Sequence, residues 1–179
     1  MSDILDILKK RYSVKKYSDD NVPSEVIDKV TEAGIYAPSG LNRQAVRLMV
    51  VEDRDTVREI ADINASVGGF PQGMDPFYGA PVVIVVFADR GCSTHIEDGS
   101  IALANMLNEA FSLGVGSCWI HRARECFETR RGREIAREYG IPDEYIGIGN
   151  CILGYPAPGY EGKVKERIGG RVHRKEGDI

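Results

Sequence analysis

One stretch of the chain limits the choice of fold more than any other, the run Pro81-Val-Val-Ile-Val-Val-Phe-Ala88. Its apolar residues do not alternate with polar ones, so both faces of the strand that it predicts must be buried. Further strands are predicted over residues 46–51, 114–120 and 145–153, with helical patterns between them. Helices between strands indicate a layered α/β or α+β arrangement, although the pattern does not give the order of the strands.

The predicted helices differ in how much of their surface is apolar. Residues 3–11 form a first amphipathic helix with Ser2 as its N-cap, a second begins at Pro23-Ser24-Glu25, and shorter helices follow residue 55 and cover 125–139. The helix over 97–113 is the most apolar, with nine apolar residues among the thirteen at 101–113. A helix that is apolar on most sides is buried by more than one layer or lies in a subunit interface.

Two segments break these patterns. Residues 64–81 hold four glycines and three prolines, which predicts a long loop of the kind that serves as a lid or a mobile segment. From residue 157 onward, glycines and mixed charge replace apolar residues, so this tail cannot form a core of its own. It must hang free or bind a surface. The whole chain, 1–179, is predicted as one domain with the extended tail 157–179.

Composition excludes several classes of function. A formal charge of −4 over 179 residues gives no electrostatic footprint for nucleic acid. No apolar run reaches the roughly 18 residues of a membrane helix, and no signal-peptide pattern opens the chain. We therefore expect a cytoplasmic protein whose cysteines are reduced thiols. These cysteines are Cys92, Cys118, Cys126 and Cys151.

Two polar motifs carry the chemistry. The first, Arg11-Tyr-Ser-Val-Lys-Lys-Tyr17, is a cationic strip with a hydroxyl and suits a phosphate. The second, Ala37-Pro-Ser-Gly-Leu-Asn-Arg-Gln44, places small residues and two amides before an apolar strand. Small residues let a backbone approach a flat ligand closely. Asn42 and Gln44 carry both donors and acceptors, which can recognise the polar edge of a heterocycle.

These motifs, with Leu113-Gly-Val-Gly-Ser-Cys-Trp-Ile120 and Ile152-Leu-Gly-Tyr-Pro156 in this order, resemble those of the nitroreductase family of FMN-dependent oxidoreductases. The resemblance covers most of the chain. It implies an α+β, nitroreductase-like fold with a central, mostly antiparallel β-sheet flanked by helices. It also implies a homodimer that binds FMN non-covalently in a groove between subunits, with the C-terminal tail of each chain reaching across.

The resemblance assigns roles to individual residues. Arg11 and Ser13 match positions that hold the FMN phosphate, together with the tail pair Lys165 and Arg167. Lys15 matches a position near the pyrimidine edge of the flavin, where positive charge favours the anionic reduced form. No side chain is assigned as catalytic, because the reaction takes place at N5 of the flavin.

Other matched positions surround the flavin ring. Ser39, Asn42 and Gln44 are expected to reach it from the partner subunit, and the backbone N–H of His121 is expected to meet N5. The remaining candidate cofactor residues are Tyr12, Pro38, Gly40, Ser117, Trp119 and Arg122. Two departures from the family pattern stand out, since Tyr12 replaces the more common Arg or His and Ala45 follows Gln44 where a proline is frequent.

Simpler interpretations also fit the residues that the resemblance assigns to the cofactor. Ser39, Asn42 and Gln44 are also ordinary turn and loop residues, and Lys165 and Arg167 are also typical of a solvated tail. Trp119, taken alone, is better explained by core packing, and Cys118 by a small buried apolar group.

The pairs Cys92-x-x-His95 and Cys118-x-x-His121 have a spacing that can bind zinc. In a strand, however, residues three apart point to opposite faces, so the second pair is a poor ligand set. The first pair has no compact knuckle pattern around it. No metal site is predicted.

The function implied by the resemblance is the transfer of hydride from NAD(P)H to FMN and then of electrons to a nitroaromatic, a quinone or a related small acceptor. An oxygen-using or dehalogenating flavoenzyme of the same fold is one alternative. A non-catalytic flavin-binding or storage protein is another. The family's larger members insert helices over the flavin, for which this chain has no room, so we expect a more open site that the 64–81 loop could close.

Overall fold

The computed structural model describes residues 3–175 and has one four-stranded antiparallel sheet at its centre. The strands are β1 (Val46–Val51), β2 (Val82–Asp89), β3 (Gly116–Ile120) and β4 (Tyr145–Gly154). Their order is β1-β2-β4-β3, so β2 and β4 are central and β1 and β3 form the edges. This confirms the antiparallel sheet and the α+β class.

The helices lie on both faces of this sheet. They are α1 (Ile4–Lys10), α2 (Ser24–Ile35), α3 (Arg54–Gly68), α4 (His95–Ser112), α5 (Ala123–Glu128) and α6 (Arg130–Glu138). Core residues of α2 and α4 pack with Val82, Ile84 and Val86 on one face of β2. Residues of α3, α5 and α6 pack with Val83, Val85 and Phe87 on the other face. The prediction that this strand is buried on both faces is confirmed.

Side-chain caps explain where two helices begin. Asp3 accepts a hydrogen bond from the N–H of Leu5 and starts α1, and Asp53 accepts one from Thr56 and starts α3. Ser2, the predicted cap of the first helix, lies outside the described residues. Among residues 3–175, no helix is long and apolar enough to cross a membrane.

The boundary of the predicted 64–81 loop was wrong. The inward positions of α3 continue through Asn64, which is buried, and the helix ends only at Gly68. Gly69, whose φ of 65° is left-handed, follows it as the C-cap. The loop is therefore 69–81. Its second half is anchored, because Phe77 is buried in the core and the Asp75 carboxylate accepts hydrogen bonds from the backbone around it.

The cationic strip, residues 11–17, lies beside β3, which is an edge strand of the sheet. The N–H of Val14 donates to the carbonyl of Ser117 at 3.0 Å, which joins the strip to β3. On its other side, Tyr17 forms a bridge with Pro156, and Ala157 donates to the carbonyl of Lys16 at 3.0 Å. The tail thus begins against the strip, and its residues 163–175 continue exposed, without helix or strand.

Candidate functional site

Arg11 and Ser13 line a cavity of about 360 Å³ between the strip, α4 and the sheet. The walls of the cavity are largely apolar and include Leu103, Trp119 and Ile148. A concave site with apolar walls and a few polar groups at one end suits a flat organic ligand that carries a charged group.

The guanidinium of Arg11 is incompletely paired. Its Nη1 atom is buried and has no hydrogen-bond partner among the described residues. A buried donor without an acceptor costs free energy, and the cost is larger for a charged group. A phosphate or carboxylate would supply the missing acceptor, and two of its oxygens can bind the guanidinium at once.

Tyr12 and Ser117 are close to this cavity but line a smaller one, of about 90 Å³. The Tyr12 ring packs edge-on against Phe111, with ring centroids 6.1 Å apart. It also covers Gly162, where any Cβ atom would overlap the tyrosine ring. Tyr12 therefore packs against the tail at Gly162.

Lys15 and Ser13 are joined to the tail by Tyr160. The N–H of Lys15 donates to the Tyr160 hydroxyl at 3.1 Å, and this hydroxyl donates to the carbonyl of Ser13 at 3.3 Å. The Lys15 ammonium lies 5.7 Å from the centre of the Tyr78 ring, which comes from the 69–81 loop. No local sequence pattern indicated Tyr78 or Tyr160, because both contacts join segments far apart in the chain.

The second motif forms its own hydrogen-bonded unit. The N–H of Gln44 donates to Oγ of Ser39 at 3.0 Å, and Nε2 of Gln44 donates to Oδ1 of Asn42 at 3.2 Å. Leu41 and Gln44 have φ values of 52° and 51°, in the left-handed region that residues of these types seldom adopt. Backbone strain of this kind concentrates at ligand-binding sites.

Asp98, which the sequence reasoning missed, fixes the start of this unit. Its buried carboxylate accepts hydrogen bonds from the N–H of Gly40 at 3.0 Å and from the hydroxyl of Thr94 at 3.1 Å. A Cβ atom at Gly40 would overlap Oγ1 of Thr94, so only glycine fits there. Pro38, Ser39, Gln44 and Asp98 line a second cavity, of about 260 Å³.

The turn at His121 is held by two buried asparagines. The carbonyl of His121 accepts hydrogen bonds from Nδ2 of Asn64 at 2.9 Å and from Nδ2 of Asn150 at 3.4 Å. The N–H of Arg122 donates to Nδ1 of His121 at 2.6 Å, and Arg122 has a φ of 72°. Asn150, a polar residue inside an apolar strand, was a visible signal in the sequence. These hydrogen bonds fix the main-chain conformation at His121 and Arg122.

The expectation that Trp119, taken alone, packs in the core was wrong, because the residue lines the cavity of Arg11. Its side chain is 52% exposed because β3 is an edge strand, and its ring stacks on His121 with centroids 5.9 Å apart. Cys118, on the opposite face of β3, is buried as predicted. Burial raises the pKa of its thiol, although a hydrogen bond from Ser13 and the charges of Lys15 and Arg11 oppose the rise.

Lys165 and Arg167 are exposed, and within residues 3–175 neither has a hydrogen bond or an ion pair with another side chain, so the isolated chain does not bring them to Arg11.

The Cys/His pairs do not form a metal site. The described residues contain no group of three His, Cys, Asp or Glu side chains that could hold a metal ion. The ring of His95 bonds the carbonyl of Cys92 at 2.7 Å, which makes this pair a turn.

Comparison with known proteins gives consistent matches. The model of the nitroreductase family matches residues 8–68 and 72–155. A protein of Methanothermobacter thermautotrophicus, named for NADH dehydrogenase and NAD(P)H nitroreductase activity, is 32% identical over 161 residues, or 87% of this chain and 78% of that protein. An FMN reductase [NAD(P)H] of Bacillus subtilis is 25% identical over 179 residues, with 88% and 67% covered.

A solved structure matches over almost the whole fold. The nitroreductase with bound FMN from Bacteroides fragilis NCTC 9343 has a TM-score of 0.90 against this chain. The two chains are 26% identical, and the match covers 98% of this chain and 100% of that one. The shared architecture includes the sheet edge at which the strip and its cavity lie.

Proposed function

The chain belongs to the nitroreductase family, and from this premise we propose that it is an FMN-dependent oxidoreductase that uses NAD(P)H to reduce small acceptors such as nitroaromatics and quinones. FMN, when bound, supplies the chemistry, because it accepts a hydride and passes electrons on. The chain's own residues bind and orient the cofactor, and none of them needs to act as a nucleophile.

One observation carries the proposal: Nη1 of Arg11 is buried without a partner, and Arg11 lines a largely apolar cavity of about 360 Å³. The phosphate of FMN has a charge of about −1.5 to −2 and supplies the acceptors that this guanidinium lacks. Ser13 and Trp119 line the same cavity, where Ser13 offers a hydroxyl and Trp119 an apolar ring. The donor set and the cavity therefore fit FMN.

We propose that the site is completed by a second copy of the chain. In one chain, Arg11 and Ser13 line one cavity, whereas Ser39 and Gln44 line another. We propose that a single cofactor contacts both sets, and that the two sets come from different subunits. Exposed apolar side chains offer the surface for such a dimer; on α1 and in the tail they are Ile4, Leu5, Leu8, Val164, Ile168 and Val172.

The cysteines bear on the compartment. All four are free, and all four are buried. Burial, with a smaller contribution from Glu125, raises the pKa of Cys126 to about 12, which keeps this thiol protonated and unreactive at neutral pH. Free thiols support our proposal of a cytoplasmic protein. We also propose that the chain acts as a single domain.

Anaerobic titration tests the function and its rivals together. The purified protein should be yellow and release FMN on denaturation, and NADH or NADPH should bleach the bound flavin. A quinone or nitroaromatic should then restore the colour and sustain steady turnover. Release of FAD would contradict the cofactor assignment. Bound FMN that neither nicotinamide reduces would favour a storage protein, and turnover only with oxygen or a halogenated substrate would favour the dehalogenating alternative.

A further inference from the structure

Two tyrosines from distant parts of the chain hold Lys15 at both ends. The Lys15 ammonium lies 5.7 Å from the centre of the Tyr78 ring, within the range of a cation–π contact. Its backbone N–H donates to the Tyr160 hydroxyl at 3.1 Å, and this hydroxyl donates in turn to the carbonyl of Ser13. Side chain and main chain of Lys15 therefore each contact a tyrosine, although the residue is exposed.

The backbone of Tyr78 is strained, and its neighbours enforce the strain. Its φ is 56°, a left-handed value that is unusual for a bulky residue. The Asp75 carboxylate accepts hydrogen bonds from the N–H of Phe77 at 2.7 Å and of Gly79 at 2.6 Å, on either side of Tyr78. Phe77 is 1% exposed and anchors the segment in the core. The fold thus stabilises an unfavourable conformation that places the Tyr78 ring at Lys15.

The position of Tyr78 among the strained residues points to the same site. In residues 3–175, five residues other than glycine have a positive φ; they are Leu41, Asn42, Gln44, Tyr78 and Arg122. Four of them belong to the two segments of the candidate site already described. Strain of this kind concentrates at functional sites, which makes Tyr78 a candidate for the same site.

We propose that Tyr78 and Tyr160 are positioning residues that clamp Lys15 and thereby raise the reduction potential of the bound flavin. The proposal rests on the proposed function and on the position near the pyrimidine edge of FMN that the resemblance implies for Lys15. A lysine that is free to rotate spreads its charge over many rotamers and into water. A clamped lysine keeps its charge beside the flavin, where it stabilises the anionic reduced form more than the neutral oxidised form.

The clamp can be tested without FMN. Lysines of the apo-protein are labelled by reductive ¹³C-methylation, and the Lys15 signal is assigned from its loss in Lys15→Arg. In the wild type, the Tyr78 ring should shift this signal away from that of an exposed lysine such as Lys29. The shift should persist in Tyr78→Phe and vanish in Tyr78→Leu. A Lys15 signal equal to that of Lys29 in the wild type would overturn the proposal, whether or not the protein binds FMN.

The consequence is tested on the FMN-loaded protein by its midpoint potential and, separately, its affinity for oxidised FMN. In Tyr78→Leu, affinity for oxidised FMN should stay within about threefold, while the ratio of reduced to oxidised affinity should fall about tenfold, or about 30 mV for a two-electron couple. Tyr160→Phe should shift the potential in the same direction, because Lys15 loses the acceptor of its N–H. Tyr78→Phe, which keeps the ring, should leave the potential unchanged.

A double-mutant cycle separates the clamp from other effects. In a Lys15→Gln background, Tyr78→Leu should cause no further change of potential, because the charge that Tyr78 positions is gone. An equal shift in both backgrounds, or a shift to a more positive potential, would overturn the proposal. Tyr139→Leu, which replaces an exposed tyrosine directly after α6, serves as the matched control and should leave the potential unaltered. A wild type that binds no FMN would contradict the proposed function and leave the clamp to be decided by the apo-protein.

Discussion

Two arginines of this molecule have opposite surroundings. Arg131, on α6, is partly exposed and donates to both oxygens of Glu59, at 2.6 and 3.0 Å, and to Glu138 at 2.9 Å. Arg11, beside the edge strand β3, has a buried Nη1 atom without a partner in the described structure. Folding alone accounts for Arg131. The surroundings of Arg11 are complete only when a ligand supplies an acceptor.

The backbone shows the same contrast. From residue 123 to residue 175, every left-handed residue is a glycine, such as Gly140 with a φ of 75°. In the segment 39–44 and at Arg122, by contrast, residues with side chains adopt this conformation. The segment 123–175, which includes α6, therefore holds no left-handed residue that bears a side chain, whereas such residues cluster in segments where we place the cofactor.

Removal of the tail should have the largest effect, because it tests whether the partner's tail completes the region around Arg11. Truncation after Pro156 removes Tyr160, Lys165 and Arg167, and we expect FMN binding to be lost and dimerisation to weaken together. Absorbance and sedimentation measure the two losses. Truncation after Gly162 keeps Tyr160, so a shortened chain that remains a flavin-loaded dimer would show that Lys165 and Arg167 only form a solvated tail.

Replacement of Arg11 should affect binding and stability in different directions. Arg11→Ala should weaken FMN binding by about 2–3 kcal/mol, or about 30- to 150-fold, because a charged hydrogen-bond network loses a member. The melting temperature of the apo-protein should not fall, since the substitution removes a buried, unpaired donor. Arg11→Lys should restore only part of the affinity, because a point charge lacks the planar fork of a guanidinium.

Fluorescence titration measures the affinity, and a neighbouring cation gives the control. Lys10 precedes Arg11 and forms an exposed ion pair with Asp6 at 3.0 Å, so Lys10→Ala should bind FMN like the wild type. Equal affinity in wild type and Arg11→Ala would remove Arg11 from the site. A large loss of apo-protein stability in Arg11→Ala would show that its role is structural, as that of Arg131 is.

A smaller effect is expected from the tip of the 69–81 loop. Phe70 and Met74 are exposed there, whereas Phe77 anchors the other half of the loop in the core. Replacing Phe70 and Met74 by alanine should leave FMN bound and change kcat/KM for bulky acceptors relative to small ones by a few fold, because apolar cover over the flavin is lost. Unchanged selectivity would show that the tip does not cover the site, and loss of FMN would place it in the cofactor cradle.

How far the sequence predicted the structure depends on the range of the contacts involved. β2 was predicted because its apolar run is a local signal, and α4 because its pattern extends over many residues. The end of α3 was misplaced because the glycines and prolines after Gly68 outweighed the buried Asn64, whose amide bonds a carbonyl 57 positions away at His121. Local composition could not reveal that contact.

The candidate site was predicted in part for the same reason. Arg11, Ser13 and Trp119 line one cavity. Trp119, taken without the resemblance, was expected to pack in the core. It is exposed because β3 is an edge strand, and the order of the strands could not be derived from the sequence pattern. Asp98 and Tyr78 were missed because their roles arise from packing between α4, the loop and distant turns.

Arg131→Ala should have the smallest effect on stability and none on FMN binding, and it tests the contrast with Arg11 at the arginine whose partners are all within the chain. The hydrogen bond from Arg131 lowers the pKa of Glu59. A carboxylate with a lowered pKa in the folded state stabilises the protein above the pKa of an unfolded glutamate, and this stability is lost as the pH falls through the lowered value. Because the pair is largely exposed, Arg131→Ala should lower the melting temperature at pH 7 by about 2–4 °C at most, and by less near pH 3. FMN affinity should not change, and a loss comparable to that of Arg11→Ala would abolish the distinction between the two arginines.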